Sequence, residues 1–82
     1  MLKQDIKNKV IEELSKIGII VDADVDDINI SEYIMDSLQF MAFIVQIEKT
    51  FNICLPDEYM MVESLYSLNA FCENILYLLN IE

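Results

Sequence analysis

The chain has 82 residues, enough for one small domain with one apolar core. Because 55% of the residues are apolar and there is one Gly and one Pro, we expect a packed fold with few tight turns, neither disordered nor β-rich. The net charge of −10 disfavours binding to nucleic acid and to anionic membrane surfaces, and it favours a partner with a basic patch.

No apolar run is long enough to span a membrane and no signal-peptide pattern opens the sequence, so a cytoplasmic location is expected. Cys54 and Cys72 both lie within apolar patterns, which favours buried free thiols over a disulfide. A zinc site would need more ligands than two cysteines in a chain without histidine. No metal site is therefore predicted.

The first apolar pattern predicts a helix from Leu2 to Ile17. Its apolar stripe consists of Ile6, Val10, Ile11, Leu14 and Ile17. The polar residues expected off this stripe are Lys3, Lys7, Lys9, Glu12, Glu13 and Lys16. Gly18 is a natural stop, because glycine adopts the left-handed conformation after a helix without steric cost.

Residues Ile19 to Met35 are predicted to be a long acidic loop whose apolar residues pack onto the helices, with one turn beginning at Ser31. The segment from Asp22 to Asp26 is similar to the start of an EF-hand calcium loop. That loop needs Gly and Glu at its sixth and twelfth positions, which Asp27 and Tyr33 occupy here. A solvated acidic loop is the favoured interpretation.

The next helix is predicted to run from Ser37 to about Thr50, with Asp36 as its N-cap. Because the first N–H groups of a helix lack internal partners, a phosphate ester on Ser37 would lie near a favourable anion site. The predicted core face consists of Phe40, Phe43, Ile44, Ile47 and Phe51. A second apolar set follows a neighbouring side, and the residues alone allow either a wider core or a docking patch there. This set is Leu38, Met41 and Val45.

Asn52 is predicted to end this helix in the left-handed conformation. The apolar segment from Ile53 to Leu55 is then predicted to pass over apolar surface. After Pro56, a short third helix is predicted at Tyr59 to Val62. Ser67 should cap a last helix from Leu68 to about Leu79. Its core stripe is Leu68, Phe71, Ile75 and Leu78, broadened by Cys72, Leu76 and Leu79. The predicted fold class is all-α, a small four-helix bundle.

The sequence contains no evident set of catalytic residues. Without histidine the usual base for an activated serine is absent, and Lys49, the only basic residue after Lys16, lies about three turns from Ser37. There is no glycine-rich phosphate loop. We therefore expect no enzyme activity, and on spacing alone Asp36 and Ser37 are more typical of simple helix capping than of a modified site.

Three motifs in order carry a more specific signal. They are Asp36-Ser37-Leu38, Ile47-Glu48-Lys49-Thr50-Phe51-Asn52-Ile53 and Leu55-Pro56-Asp57-Glu58. Together with the helix pattern they resemble the acyl and peptidyl carrier protein family over nearly the whole chain. The resemblance implies an acyl-carrier bundle forming one carrier domain over residues 1–82, with a long loop after the first helix. It also implies a covalent 4′-phosphopantetheine arm on Ser37 that holds an acyl, aminoacyl or peptidyl group as a thioester.

The resemblance further assigns Asp36 to helix capping and transferase recognition. It assigns partner binding to Leu38, Met41, Val45 and Glu48. The implied partners are a phosphopantetheinyl transferase and loading (adenylating or acyl-transferring) and downstream enzymes with basic and apolar docking patches. Neither nucleic acid nor membrane is expected as a partner, and the protein is expected to be a monomer.

The sequence departs from fatty-acid carriers in the motif helix, whose polar side carries Gln39, Ala42 and Gln46, with Glu48 as its only acid. Ile34-Met35 replaces a glycine-containing step, and eight residues separate Glu58 from Ser67. These departures favour similarity to stand-alone carriers of specialised pathways. The alternative is an unmodified acidic helical adaptor that binds partner proteins through the apolar face of the motif helix.

Overall fold

The computed structural model describes residues 2–81 and contains three α-helices. They are α1 (Lys3–Lys16), α2 (Ser37–Phe51) and α3 (Leu68–Ile81). Three 3₁₀ turns lie between them, at Ile30–Glu32, Asp57–Tyr59 and Val62–Leu65, and the described residues form no β-strand. The predicted all-α fold class is confirmed. Among residues 2–81 no helix has the length and apolar character needed to cross a membrane.

The core is formed where α1 packs against both α2 and α3. Direct contact between α2 and α3 comes from Phe43 and Phe71, whose ring centroids lie 5.5 Å apart. Every helix contributes one apolar face, as the periodicity predicts. The buried apolar residues are Ile6, Val10, Leu14, Ile19, Ile30, Phe43, Ile44, Ile47, Phe51, Ile53, Leu55, Leu65, Leu68, Phe71, Cys72, Ile75 and Leu78.

The helix ends agree with the predicted boundaries to within two residues. Leu2 and Ile17 flank α1 as caps, and Gly18 follows with a φ of 90°. Asn52 ends α2 with a φ of 54°, the left-handed conformation predicted for it. At α3, Ser67 Oγ accepts a hydrogen bond from the Ala70 N–H, 3.1 Å away, so the predicted cap is confirmed.

Glu13 is not on the solvated face of α1 as predicted: its side chain is only 4% exposed. Its Oε1 accepts hydrogen bonds from Thr50 Oγ1 at 2.6 Å and from Lys16 Nζ at 3.1 Å. Burial acts to raise the pKa of Glu13, but these bonds and the charges of Lys16 and Lys9 outweigh it, so the pKa lies below its usual value. The buried carboxylate therefore ties the end of α1 to the end of α2.

The predicted short helix at Tyr59 to Val62 is wrong. Two 3₁₀ turns flank Met60 and Met61, and Met61 has an extended backbone with φ −102° and ψ 151°. Ser64 Oγ lies 2.6 Å from the Tyr59 carbonyl oxygen and 2.5 Å from that of Met61, and its single proton is shared between these two acceptors. The Met61 carbonyl oxygen also accepts from the Ser64 N–H at 3.0 Å, and the hydroxyl gives the Tyr59 carbonyl oxygen a partner, which stabilises the break.

Several smaller expectations need correction. Cys54 is exposed, whereas Cys72 is buried as predicted, and both are free thiols. Phe40, Ile11 and Ile17 are half-buried and pack against the buried core. Tyr33 is exposed, although apolar residues near it in the loop pack against the core. The turn predicted to begin at Ser31 begins one residue earlier, because Asn29 Oδ1 accepts from the Ser31 N–H at 3.0 Å.

Side chains hold the long loop between α1 and α2 in place. Lys7 of α1 donates to the carbonyl oxygens of Val25 and Asp26, at 2.6 and 2.9 Å. Asp27 Oδ2 accepts from the Ser67 hydroxyl at 2.6 Å, and its Oδ1 accepts from the Asn69 N–H at 2.9 Å. The middle of the loop is thus fixed to both α1 and the start of α3.

Truncation of the buried face of α2 should destabilise the protein. We expect Phe43→Ala and Ile47→Ala to lower the free energy of unfolding by roughly 2–5 kcal/mol, because each removes a fully buried side chain. Urea denaturation followed by circular dichroism measures this loss. Tyr77→Ala, at an exposed site on α3, is the control and should stay within about 0.5 kcal/mol of wild type. Wild-type midpoints for both core variants would contradict the assigned core.

The contribution of Asp27 should depend on pH. Partial burial acts to raise its pKa, but the hydrogen bonds from Ser67, Asn69 and Ile28 lower it by more. The stabilisation is therefore complete above the ordinary Asp pKa of about 3.9 and is lost as pH falls through the lower folded value. The Tm difference between wild type and Asp27→Asn should be largest near about pH 6 and shrink towards about pH 2.

Asp24→Asn is the matched control, since it makes the same charge change in the same loop at an exposed residue whose carboxylate accepts no hydrogen bond within residues 2–81. Equal Tm differences for Asp27→Asn at both pH values would contradict the assigned role of the Asp27 carboxylate.

Candidate functional site

Asp36 begins α2 as its N-cap. Its backbone is extended, with φ −159° and ψ 175°, and its Oδ1 accepts a hydrogen bond from the Gln39 N–H at 2.8 Å. The Asp36 carbonyl oxygen accepts from the Phe40 N–H at 3.1 Å. This pairing satisfies two of the N–H groups in the first turn.

Ser37 is the first residue of α2 and is exposed. Within residues 2–81 its hydroxyl makes no hydrogen bond, and the N–H groups of Ser37 and Leu38 have no acceptor. Unpaired N–H groups at the start of a helix carry the positive end of its dipole and favour an anion. An oxygen attached to phosphorus at Ser37 would therefore be in a favourable electrostatic setting.

A shallow apolar hollow of about 270 Å³ lies beside Ser37. It is formed by the end of the long loop, the first turn of α2 and the 3₁₀ turn that begins at Val62. Its lining residues are Ser31, Ile34, Met35, Asp36, Ser37, Phe40 and Val62. Sequence analysis did not place Val62 or Ser31 near Ser37, because both are separated from it by irregular backbone with no periodicity to follow.

The second apolar set of α2 is exposed. Leu38 is 83% exposed, Met41 45% and Val45 41%, although all three are apolar. Met35, directly before the N-cap, is 88% exposed. We call these four side chains the apolar patch, and Met35 among them also lines the hollow. Large apolar side chains exposed together near one site are typical of a surface that binds a partner.

Glu48 does not share this exposure. It is half-buried, and its Oε2 accepts a hydrogen bond from the Leu55 N–H at 2.9 Å. It also lies 11 residues after Ser37, about 16 Å along the helix. The structure thus brings Leu38, Met41 and Ser37 together, whereas the Glu48 carboxylate is engaged in holding the segment after α2.

Gln39 is the residue of this site that sequence analysis missed, because it was assigned only to the polar side of α2. Its side-chain amide bonds to two backbone groups outside its own helix, at Met35 and Ile17. The spacing Asp36-x-x-Gln39 matches a capping box, in which the third helical residue reaches back to the backbone before the helix. That pattern could have identified it.

The residues around Ser37 fit a phosphopantetheine group, because they offer an exposed hydroxyl, unpaired N–H groups for a phosphate, and an apolar hollow beside them. Within residues 2–81, by contrast, no three His, Cys, Asp or Glu side chains lie close enough to hold a metal ion.

Comparison with known proteins identifies the family. The family described as "phosphopantetheine attachment site" matches residues 5–75, which include all three motifs that suggested the resemblance. No curated protein and no solved structure matches the chain with significant similarity. Members of the family carry a covalently attached 4′-phosphopantetheine group. The chain therefore belongs to the phosphopantetheine-binding family of acyl and peptidyl carrier proteins.

Proposed function

We propose that residues 1–82 form one carrier domain whose phosphopantetheine arm is attached to Ser37 and carries an acyl, aminoacyl or peptidyl group. The observation that carries this proposal is the exposed Ser37 at the first position of α2, inside the segment matched by the family. The bound arm supplies a terminal thiol, which holds the cargo as a thioester. The chain itself supplies the attachment point, the docking surface and the rigid helix that presents both.

Attachment of the arm is a phosphoryl-type transfer from coenzyme A. Ser37 Oγ forms a bond to the phosphorus that carries pantetheine, the pyrophosphate bond of coenzyme A breaks, and adenosine bisphosphate leaves. The hydroxyl proton passes to a base of the transferase, since the sequence has no histidine and Ser37 has no hydrogen-bond acceptor within residues 2–81. We assign no catalytic residue to this chain.

Asp36 acts on Ser37 through the backbone. Its carboxylate fixes the Gln39 N–H, so the first turn of α2 is ordered before a partner binds. Because Asp36 is exposed and adjacent to the serine, it also offers a negative charge that a basic transferase can recognise.

The apolar patch is the proposed docking surface. Leu38 and Met41 are one turn apart and directly follow Ser37, so an enzyme that reaches the serine must approach them. Truncation of a residue at the centre of an interface commonly costs more than about 1 kcal/mol of binding. The partners that fit are a phosphopantetheinyl transferase and loading and downstream enzymes with an apolar contact surface edged by basic residues.

The surface of α2 supports a role in a specialised pathway and not in housekeeping fatty-acid synthesis. A helix that binds basic patches mainly by charge needs several exposed acids, and α2 has only Glu48, which is half-buried and bonded to Leu55. Its exposed residues near Ser37 are apolar instead. Recognition of this carrier would therefore depend more on shape and apolar contact than on an acidic helix.

Loading should require Ser37. After incubation with coenzyme A and a broad-specificity phosphopantetheinyl transferase, wild type should gain the mass of one phosphopantetheine, and Ser37→Ala should gain none. Ser31→Ala is the matched control, since Ser31 lines the same hollow, and it should gain one group. Intact-mass spectrometry measures the mass gained by each of the three proteins. An unmodified wild type would favour the unmodified adaptor and overturn the proposal.

The apolar patch should affect loading more than stability. We expect Met41→Ala to change the free energy of unfolding by no more than about 0.5 kcal/mol, because the side chain is substantially exposed. The same change should raise the transferase KM about fivefold, as loss of about 1 kcal/mol of binding implies. Steady-state kinetics measures the KM, and thermal melts of the same preparation measure the stability. A large loss of stability with a normal KM would place Met41 in the core instead.

A further inference from the structure

Gln39 joins three parts of the backbone around Ser37. Its own N–H donates to Asp36 Oδ1 at 2.8 Å. Its side-chain Oε1 accepts from the Met35 N–H at 2.7 Å, and its Nε2 donates to the Ile17 carbonyl oxygen at 3.1 Å. Ile17 is the C-cap of α1, so one amide group links the end of α1 to the residue before the N-cap of α2.

The two partners determine the orientation of the amide. An N–H group can bond only to the amide oxygen, and a carbonyl oxygen can bond only to the amide NH₂. The opposite orientation would place donor against donor at Met35 and acceptor against acceptor at Ile17. No side chain with only donors or only acceptors can make both bonds, and the amide of Gln39 supplies one of each.

The segment from Met35 to Leu38 has little apolar packing to hold it in place. Met35, Asp36, Ser37 and Leu38 are all exposed, in contrast to the buried residues one turn later in α2. An exposed segment with few apolar contacts is expected to open locally more easily than the core. The bond to the Met35 N–H therefore adds to the Asp36 cap as a restraint on the backbone that enters α2, just ahead of the serine.

We propose that Gln39 is a positioning residue for the modification of Ser37, acting through its bond to the Met35 N–H. The inference rests on the proposed function, because it concerns the rate at which Ser37 receives the arm. Holding the backbone before the N-cap limits fraying of the first turn of α2 and so restrains the position of the Ser37 backbone, and a nucleophile whose position is restrained reacts faster once bound. The bond to Ile17 has a separate role, which is to join α1 and α2.

Two substitutions separate these roles. Gln39→Met keeps the length of the side chain but can make neither hydrogen bond. Gln39→Glu can still accept from the Met35 N–H, and a carboxylate is favourable in the first turn of a helix. It cannot donate to the Ile17 carbonyl. Gln46→Met is the matched control, because it makes the same change at a half-buried site of the same helix, seven residues further along the chain.

We expect Gln39→Met to lower the transferase kcat by about fivefold to tenfold, the effect of losing the one net hydrogen bond to Met35. The KM should change less than for Met41→Ala, because the apolar patch is intact. Gln39→Glu and Gln46→Met should keep a kcat within about twofold of wild type. Both Gln39 variants should melt at lower temperature than wild type, since both lose the link to α1, but only Gln39→Met should load slowly while folded.

Amide hydrogen exchange gives a readout that does not depend on loading. In wild type and Gln39→Glu the Met35 N–H should exchange more slowly than the Leu38 N–H, which has no acceptor within residues 2–81. In Gln39→Met the two should exchange at similar rates. Fast exchange of Met35 in wild type, a wild-type kcat for Gln39→Met, or an equally slow Gln39→Glu would each overturn the inference. A wild type that accepts no arm overturns the proposed function and this inference together.

Discussion

Burial of one face of α2 determines which side chains of this helix are exposed beside Ser37. Phe43, Ile44 and Ile47 are inaccessible or nearly so, which fixes the rotation of the helix about its axis. Because residues three and four apart share a face, the same rotation turns Leu38, Met41 and Val45 outwards. A helix with apolar residues on two sides can bury only one of them in so small a bundle. The exposed apolar patch is thus a direct consequence of the core.

Polar contacts, together with a few buried apolar residues such as Ile19 and Ile30, position the irregular segments. Asp27 joins the long loop to the start of α3, and Lys7 joins it to α1. Gln39 joins the end of the same loop to α1 and to the start of α2. In each case a side chain satisfies backbone groups that have no secondary-structure partner. Ser37 lies two residues after Met35, so the last of these contacts restrains the backbone just before it.

The helices and their ends could be predicted from the sequence because their signals are local. Apolar spacing, Gly18 and Asn52 each act within one or two turns, and Ser67 caps the helix that it precedes. The burial of Glu13 could not be predicted, since its partner Thr50 lies 37 residues away in the chain. Cys54 was misjudged because its segment is apolar throughout. In an extended stretch neighbouring side chains alternate, so Ile53 and Leu55 face inwards and Cys54 faces out.

The site was predicted less completely than the fold. Asp36 and Ser37 follow from the motif, whereas the hollow beside them needs Val62, which irregular backbone brings close. The role of Gln39 depends on where α1 ends in space, and no pattern within α2 contains that information. The capping-box spacing indicates the bond of Gln39 to the backbone before α2, but not its bond to Ile17.

Tandem mass spectrometry of peptides from the protein isolated from its natural host tests the central claim most directly. The sequence contains serines at positions 15, 31, 37, 64 and 67, and all of them carry a hydroxyl that a transferase could in principle modify. The account predicts that the phosphopantetheine group is found on Ser37 and on no other residue. An arm attached to a different serine, or a protein that is wholly unmodified in cells where other carriers are modified, would contradict it.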